Sequence, residues 1–148
     1  MRAVLQRVTR AQVSVDGEVV AAIGPGLLVL LGVAADDTDT DADWTLDKLI
    51  ALRIFEDQAG KFNKSLRDVQ HELLVVSQFT LLADTRAGRR PSFTDAAPPE
   101  RALLLYERVV QRARGSGVRV ATGTFGARMQ VELINDGPVT IILDSRQR

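Results

Sequence analysis

Hydrophobic and polar positions follow the two-residue period of half-buried strands through the first part of the chain. Ala3–Val8 and Ala11–Val15 read as two such strands. Asp16-Gly17 is a tight-hairpin signal before a third, Val19–Ile23. Gly24-Pro25-Gly26 then breaks the pattern. Leu27–Val33 is continuously apolar with β-branched content, which predicts a strand buried on both faces. Beyond it the period changes. Trp44, Leu46, Leu49, Ile50 and Ile54 form a helical stripe, capped by Thr40 or Asp41 and reaching about Phe55.

Ala59-Gly60 marks a turn, and Leu73–Phe79 is a further β-rich run that leads into Thr80. Ala83–Pro91 reads as a loop carrying Arg86, Arg89 and Arg90. Pro98-Pro99-Glu100 opens a second helix to about Arg114, because proline is tolerated in a first turn and an acid there suits the helix dipole. Gly115 and Gly117 end it. Val118–Ala121, Met129–Ile134 and Val139–Leu143 predict three closing strands. No linker or repeat interrupts residues 1–148. The order predicts one α/β domain with two main helices and a mixed or antiparallel sheet, not regular βαβ winding.

Composition adds exclusions. Of 148 residues, 45% are hydrophobic and 26% charged, so a full core is available. With no cysteine there is no disulfide, thiolate metal site or cysteine nucleophile, and one histidine, His71, leaves no histidine-rich metal site. No metal or cofactor is expected. No apolar run approaches the ~20 residues of a membrane span. The N-terminal stretch with Arg2, Arg7 and Arg10 does not read as a leader. The expectation is a soluble cytoplasmic protein.

Net charge is zero but uneven. Asp36, Asp37, Asp39, Asp41, Asp43 and Asp47 form an acidic stretch. Residues 86–119 hold eight arginines against Asp95, Glu100 and Glu107, a local net of +5. These are either two solvated faces or, for the second, a face for phosphate. The 16 arginines against 3 lysines suit bidentate phosphate contacts.

Four segments carry candidate chemistry. Gly24-Pro25-Gly26 lacks the spacing of a phosphate loop and reads as a turn. His71, alone before a strand, reads as a surface residue. Ser77-Gln78-Phe79-Thr80 brings two hydroxyls and an amide to a strand end. They serve as nucleophiles lacking a visible base, or simply satisfy backbone groups. Asn135-Asp136-Gly137-Pro138 is an ordinary loop or one with a cis Gly-Pro bond, since proline disrupts a simple type I′ hairpin.

Ser77-Gln78-Phe79-Thr80-Leu81 and Asn135-Asp136-Gly137-Pro138-Val139-Thr140 resemble the two signature motifs of the D-aminoacyl-tRNA deacylases, also called D-tyrosyl-tRNA deacylases. Gln6-Arg7-Val8, Gly26–Gly32, Arg53-Ile54-Phe55 and Arg90-Pro91-Ser92-Phe93 agree with the same family. Phe62, where methionine is common, and Arg128, where an acid is frequent, depart from it.

The resemblance implies a barrel-like homodimer with active sites at the interface. It implies removal of D-amino acids and glycine from the 3′ end of tRNA. Gln78, Phe79 and Thr80 would be catalytic, with Ser77 lining the pocket. Gly137 and Pro138 would be a cis chiral filter entering the partner's pocket, with Arg7 locking them in place. Two other readings remain at this stage: a non-catalytic nucleic-acid-binding dimer, and a small-molecule esterase using Ser77 or Thr80.

Overall fold

The computed structural model describes residues 1–148. One strand organises its sheet. The two strands expected over Ala3–Val8 and Ala11–Val15 are a single strand, Arg2–Val15 (β1). Its buried positions change phase between Val8 and Ala11, where the pairing with the last strand shifts register. That phase change made one strand look like two. Asp16 and Gly17 both take positive φ, 51° and 80°, as a type I′ hairpin turn requires.

Glu18–Ile23 (β2) returns antiparallel along β1, and Gly26–Gly32 (β3) continues along the same edge. Ala11 pairs with Ile23, and Val8 with Gly26. The two segments thus form one return path, interrupted at Gly24-Pro25, where proline has no N–H for the ladder. Gly26 admits the next strand, because a Cβ there would collide with the Glu72 carbonyl.

Two short strands, Phe55–Glu56 (β4) and Phe62–Lys64 (β5), form a separate hairpin. Glu72–Ser77 (β6) lies parallel to β3, and Val120–Thr122 (β7) parallel to β6. Gln130–Asp144 (β8) runs antiparallel along the other edge of β1. The sheet is therefore mixed, and it curls toward a barrel as β2 approaches β6 and β7. Leu27, Val29 and Leu31 join the main core, while Leu28 packs on the opposite face with Val8, Val13, Leu74 and Val76. Burial on both faces explains the unbroken apolar run of β3.

The helices are Asp39–Ala51 (α1), Leu66–Val69 (α2) and Pro99–Gly115 (α3). None is long and apolar enough to cross a membrane. The N-cap of α1 is Thr38, whose N–H donates to the Asp41 carboxylate at 2.9 Å in a capping box. The helix ends at Ala51, four residues before the expected Phe55. Ile54 and Phe55 are buried, but in extended chain leading into β4.

The acidic stretch is not a freely solvated face. Asp39, Asp43 and Asp47 recur every turn of α1 and meet Arg108 and Arg112 of α3. The hydrogen bond from Arg108 holds the Asp43 carboxyl below the usual range. Such exposed pairs contribute only about 0–1 kcal/mol each. Their larger effect is to occupy two of the eight arginines in the basic segment.

Candidate active site

The strand expected to reach Phe79 ends at Ser77. The Gln78 N–H still donates to the Leu31 carbonyl at 2.8 Å. Gln78 then leaves strand geometry, and Phe79–Leu82 wind into a 3₁₀ turn. Gly32 makes room for it: a Cβ there would lie 2.8 Å from the Gln78 carbonyl oxygen and 2.6 Å from Leu82 Cδ2. The Gln78 side-chain amide donates to the Thr80 hydroxyl. Phe79, 53% exposed, stands edge-on to Phe93 with ring centroids 5.1 Å apart.

Beside this turn lies a cleft of about 540 Å³. Ser77, Gln78 and Phe79 form one wall, facing Phe93, Phe125 and Met129. Twelve of the 16 lining residues are hydrophobic, so Ser77 and Gln78 are isolated polar groups in an apolar wall. Thr80 is exposed and stands outside the lining. Beneath the wall, the Tyr106 hydroxyl donates to the Val75 carbonyl at 2.9 Å. Burial pushes this phenol up to about 12, keeping it a neutral donor. The aromatic and thioether side of the cleft was not singled out as site chemistry from sequence. Phe125 and Met129 come from the loop before β8; Met129 was expected to begin that strand, which starts instead at Gln130.

The second motif is a bulge. Gln6 pairs with Thr140 and Val8 with Asn135, so residues 136–139 of β8 face Arg7 alone on β1. Asn135 closes the bulge. Its side-chain oxygen accepts from the Val139 N–H at 2.7 Å, and its amide donates to the Val139 carbonyl at 3.2 Å. The Gly137-Pro138 bond is cis, and Gly137 has φ of 144°.

Arg7, 6% exposed, braces this loop. Its Nε donates to the Asp136 carbonyl and its Nη1 to the Ile54 carbonyl, both at 2.9 Å. Glu56 and Asp136 carboxylates lie 3.5 and 3.6 Å from the guanidinium, and the Phe62 ring lies under it. Phe62, the departure noted in sequence, thus stacks on the residue that holds the loop.

Within one chain the two motifs do not meet. Gly137 and Pro138 do not line the cleft. Arg2, whose guanidinium reaches the Leu81 carbonyl in the 3₁₀ turn, is five residues of strand from Arg7. That is about 17 Å along β1. The arginine loop divides as well. Arg86 is tied to Asp84 at 2.7 Å, whereas Arg89 and Arg90 are exposed with no carboxylate within 4 Å. His71 is not a plain surface residue. It is half-buried, edge-on to Phe55, and its Nδ1 has no partner. Burial, then the Arg119 charge, hold its pKa below the ordinary value.

Comparison with known proteins identifies the family of the chain. The family described as D-Tyr-tRNA(Tyr) deacylase matches residues 4–144. A D-aminoacyl-tRNA deacylase of Dehalococcoides mccartyi is 63% identical over all of this chain and 97% of its own length. One from Anaeromyxobacter dehalogenans is 64% identical over 99% of both chains. Among solved structures, the c-Myc DNA Unwinding Element Binding Protein superposes with a TM-score of 0.92 at 46% identity, covering 97% of this chain and 98% of that one. A probable eukaryotic D-amino acid tRNA deacylase shares the fold at a TM-score of 0.85 and 22% identity, over 96% and 97% of the two chains. The chain belongs to the D-Tyr-tRNA(Tyr) deacylase family.

Proposed function

We propose that this protein hydrolyses the ester of D-aminoacyl-tRNA, releasing free tRNA and the D-amino acid. It acts as a homodimer in which the Gly137-Pro138 loop of each subunit completes the other's cleft. The observation that carries this reading is the separation of the two motifs. An open apolar cleft and a braced loop lie on one chain, and neither Gly137 nor Pro138 lines that cleft. A second copy supplies to each cleft what its own chain holds elsewhere. The curated names of relatives at 63% and 64% identity give the reaction.

The chemistry follows from the groups at the strand end. Water adds to the acyl carbon, the bond to the ribose oxygen breaks, and that oxygen leaves with a proton. The first N–H groups of a helical turn have no acceptor inside it. Those of Phe79 and Thr80 therefore suit the developing oxyanion, a donor role worth ~2.7–4 kcal/mol each. No base stands beside Thr80, and its hydroxyl is engaged by Gln78. The one imidazole, His71, precedes β6, at the end of that strand opposite Ser77. The neighbouring 2′-hydroxyl of the terminal ribose then positions the water.

Selection works by exclusion. The Gly137 and Pro138 carbonyls hold the substrate amino group and fill the space an L side chain needs. Glycine has no side chain to exclude, so glycyl-tRNA is also cleaved. Arg89 and Arg90 reach acceptor-stem phosphates, while Arg86 stays with Asp84.

Subunit complementation tests the shared site. Gln78→Ala removes the cleft amide and Gly137→Ala disturbs the loop. Each variant alone keeps on the order of 1% of wild-type cleavage. Mixed and refolded together, they recover about a quarter of wild-type D-tyrosyl-tRNA cleavage, because half the dimers carry one intact composite site. No recovery from a proven mixed dimer contradicts the shared site. A second reading, nucleic-acid binding without turnover, is favoured by the similarity to the c-Myc DNA Unwinding Element Binding Protein. It predicts RNA or DNA binding with every ester intact.

A further inference from the structure

At the other end of β6 from the cleft lies a polar pocket of about 430 Å³. Its walls are Arg67 and Gln70 from α2 and the residue capping it, His71, and Ser116, Gly117 and Arg119 beyond α3. We propose that this pocket receives a backbone phosphate of the tRNA whose 3′ end is being cleaved. The proposal rests on the deacylase reading above and extends its RNA contact to a second place on the molecule.

Charge gives the first support. Neither Arg67 nor Arg119 has a carboxylate within 4 Å, unlike Arg2, Arg7, Arg10, Arg86, Arg108, Arg112, Arg146 and Arg148. The nearby acids are engaged elsewhere. Asp68 accepts from the Ser65 N–H at 2.8 Å and its hydroxyl at 2.9 Å. Glu72 accepts from the Gly24 N–H at 3.3 Å. Arg119 is steered by the Gln70 carbonyl at 3.4 Å. Two guanidiniums without a carboxylate partner in one concavity suit a phosphate, which takes planar forked donors.

An opposing field exists. The C-terminal end of α3 points its partial negative charge here. Three of its last four carbonyls are already satisfied: Arg112 and Ala113 accept from the Ser116 N–H and Arg114 from the Gly117 N–H, at 3.0–3.1 Å. The Ser116 hydroxyl is spent on Ala113 at 2.7 Å, so it is not a free donor to a ligand. A half-charge on a capped helix end is smaller than two full cationic charges.

Position gives the second support. His71 packs edge-on against Phe55 at 5.4 Å between centroids, and Phe55 follows Ile54, whose carbonyl holds Arg7. The pocket is therefore on the same side of the fold as the Gly137-Pro138 loop. If that loop completes the other subunit's cleft, RNA leaving that cleft runs past this pocket. Arg89 and Arg90 stand in the loop that leads to Phe93 of their own cleft, so the two basic places would grip one tRNA from both subunits.

The test compares wild type with the full-length Arg67→Gln/Arg119→Gln variant, and with Lys48→Gln as a surface-charge control. The pocket variant binds an uncharged acceptor-stem minihelix about tenfold more weakly. Its plot of log affinity against log salt is shallower by about one unit per lost phosphate contact. On D-tyrosyl-tRNA its KM rises, and its rate ratio of that substrate to D-tyrosyl-adenosine falls. The single imidazole offers a direct probe, since its NMR signals shift when minihelix is added to wild type but not to the variant. Unchanged affinity and salt slope would overturn the proposal. So would an imidazole shift with inorganic phosphate and none with the minihelix, which makes the pocket a free-anion site. Minihelix binding is read without turnover, so failure of the deacylase reading leaves this result separately visible.

Discussion

The Arg7 guanidinium joins Asp136 to Ile54: one nitrogen donates to each backbone carbonyl at 2.9 Å. The Gly137-Pro138 bulge is thereby fixed to the segment between α1 and β4. Replacing Arg7 with Ala strands two carbonyls and removes a buried side chain. The expected cost is about 2–4 kcal/mol, read from the urea midpoint. D-ester cleavage should fall about 100-fold through loss of loop position. Arg7→Lys keeps the charge but not the fork, and should restore stability better than activity.

Gly137→Ala tests the loop itself. With φ at 144°, a side chain there is strained, and its Cβ would lie 2.9 Å from the Val139 nitrogen. A cost of about 1–3 kcal/mol leaves the chain folded. kcat/KM for D-tyrosyl-tRNA should fall by about 100-fold while the circular dichroism spectrum is retained. Full activity in this variant would remove the loop from the site.

Thr80→Ala separates a protein nucleophile from RNA assistance. The hydroxyl is bonded to Gln78 and has no base beside it. The variant should stay within about tenfold of wild-type rate, the scale of one neutral hydrogen bond. A substrate ending in 2′-deoxyadenosine should lose ~10²–10⁴-fold, the range of a positioned acid–base group. Complete loss in Thr80→Ala with full cleavage of the deoxy substrate would reverse the assignment.

His71 predicts a pH dependence of stability. Its folded pKa lies below the ordinary 6.5, through burial first and Arg119 second, with Glu72 acting in the opposite direction. The unfolded chain therefore takes up the proton first. The stabilisation is present above pH 6.5 and is lost as pH falls toward the folded pKa. Urea midpoints between pH 7.5 and 5 should decline, and His71→Gln should flatten the component in that window. A wild-type profile identical to that of the variant would contradict the shift.

Local chemistry made much of the fold readable from residues alone. Asp16-Gly17 encodes a turn with two positive φ values, and Pro98-Pro99-Glu100 encodes a helix start. Leu27–Val33 announces a strand covered on both sides. What tertiary contacts decide was less accessible. Ile54 and Phe55 continue a helical period but are drawn into the core as extended chain. β1 hides its continuity behind a change of buried face opposite the Asn135–Thr140 bulge.

The site divides in the same way. Ser77-Gln78-Phe79-Thr80 and Asn135–Thr140 stood out by residue type and by resemblance. Sequence could not show that Gly32 makes room for the 3₁₀ turn, or that Phe125 and Met129 face it. It also could not show that Asp39, Asp43 and Asp47 occupy Arg108 and Arg112, which leaves fewer cations for RNA than composition suggests. These relations depend on which surfaces the fold brings together.

The most direct test of the central claim is the cleavage of D-tyrosyl-, glycyl- and L-tyrosyl-tRNA, matched in tRNA and concentration, by the purified full-length protein. The D and glycyl esters should be lost rapidly and the L ester should survive. Efficient cleavage of L-tyrosyl-tRNA would contradict chiral exclusion, and survival of all three esters would contradict hydrolysis itself.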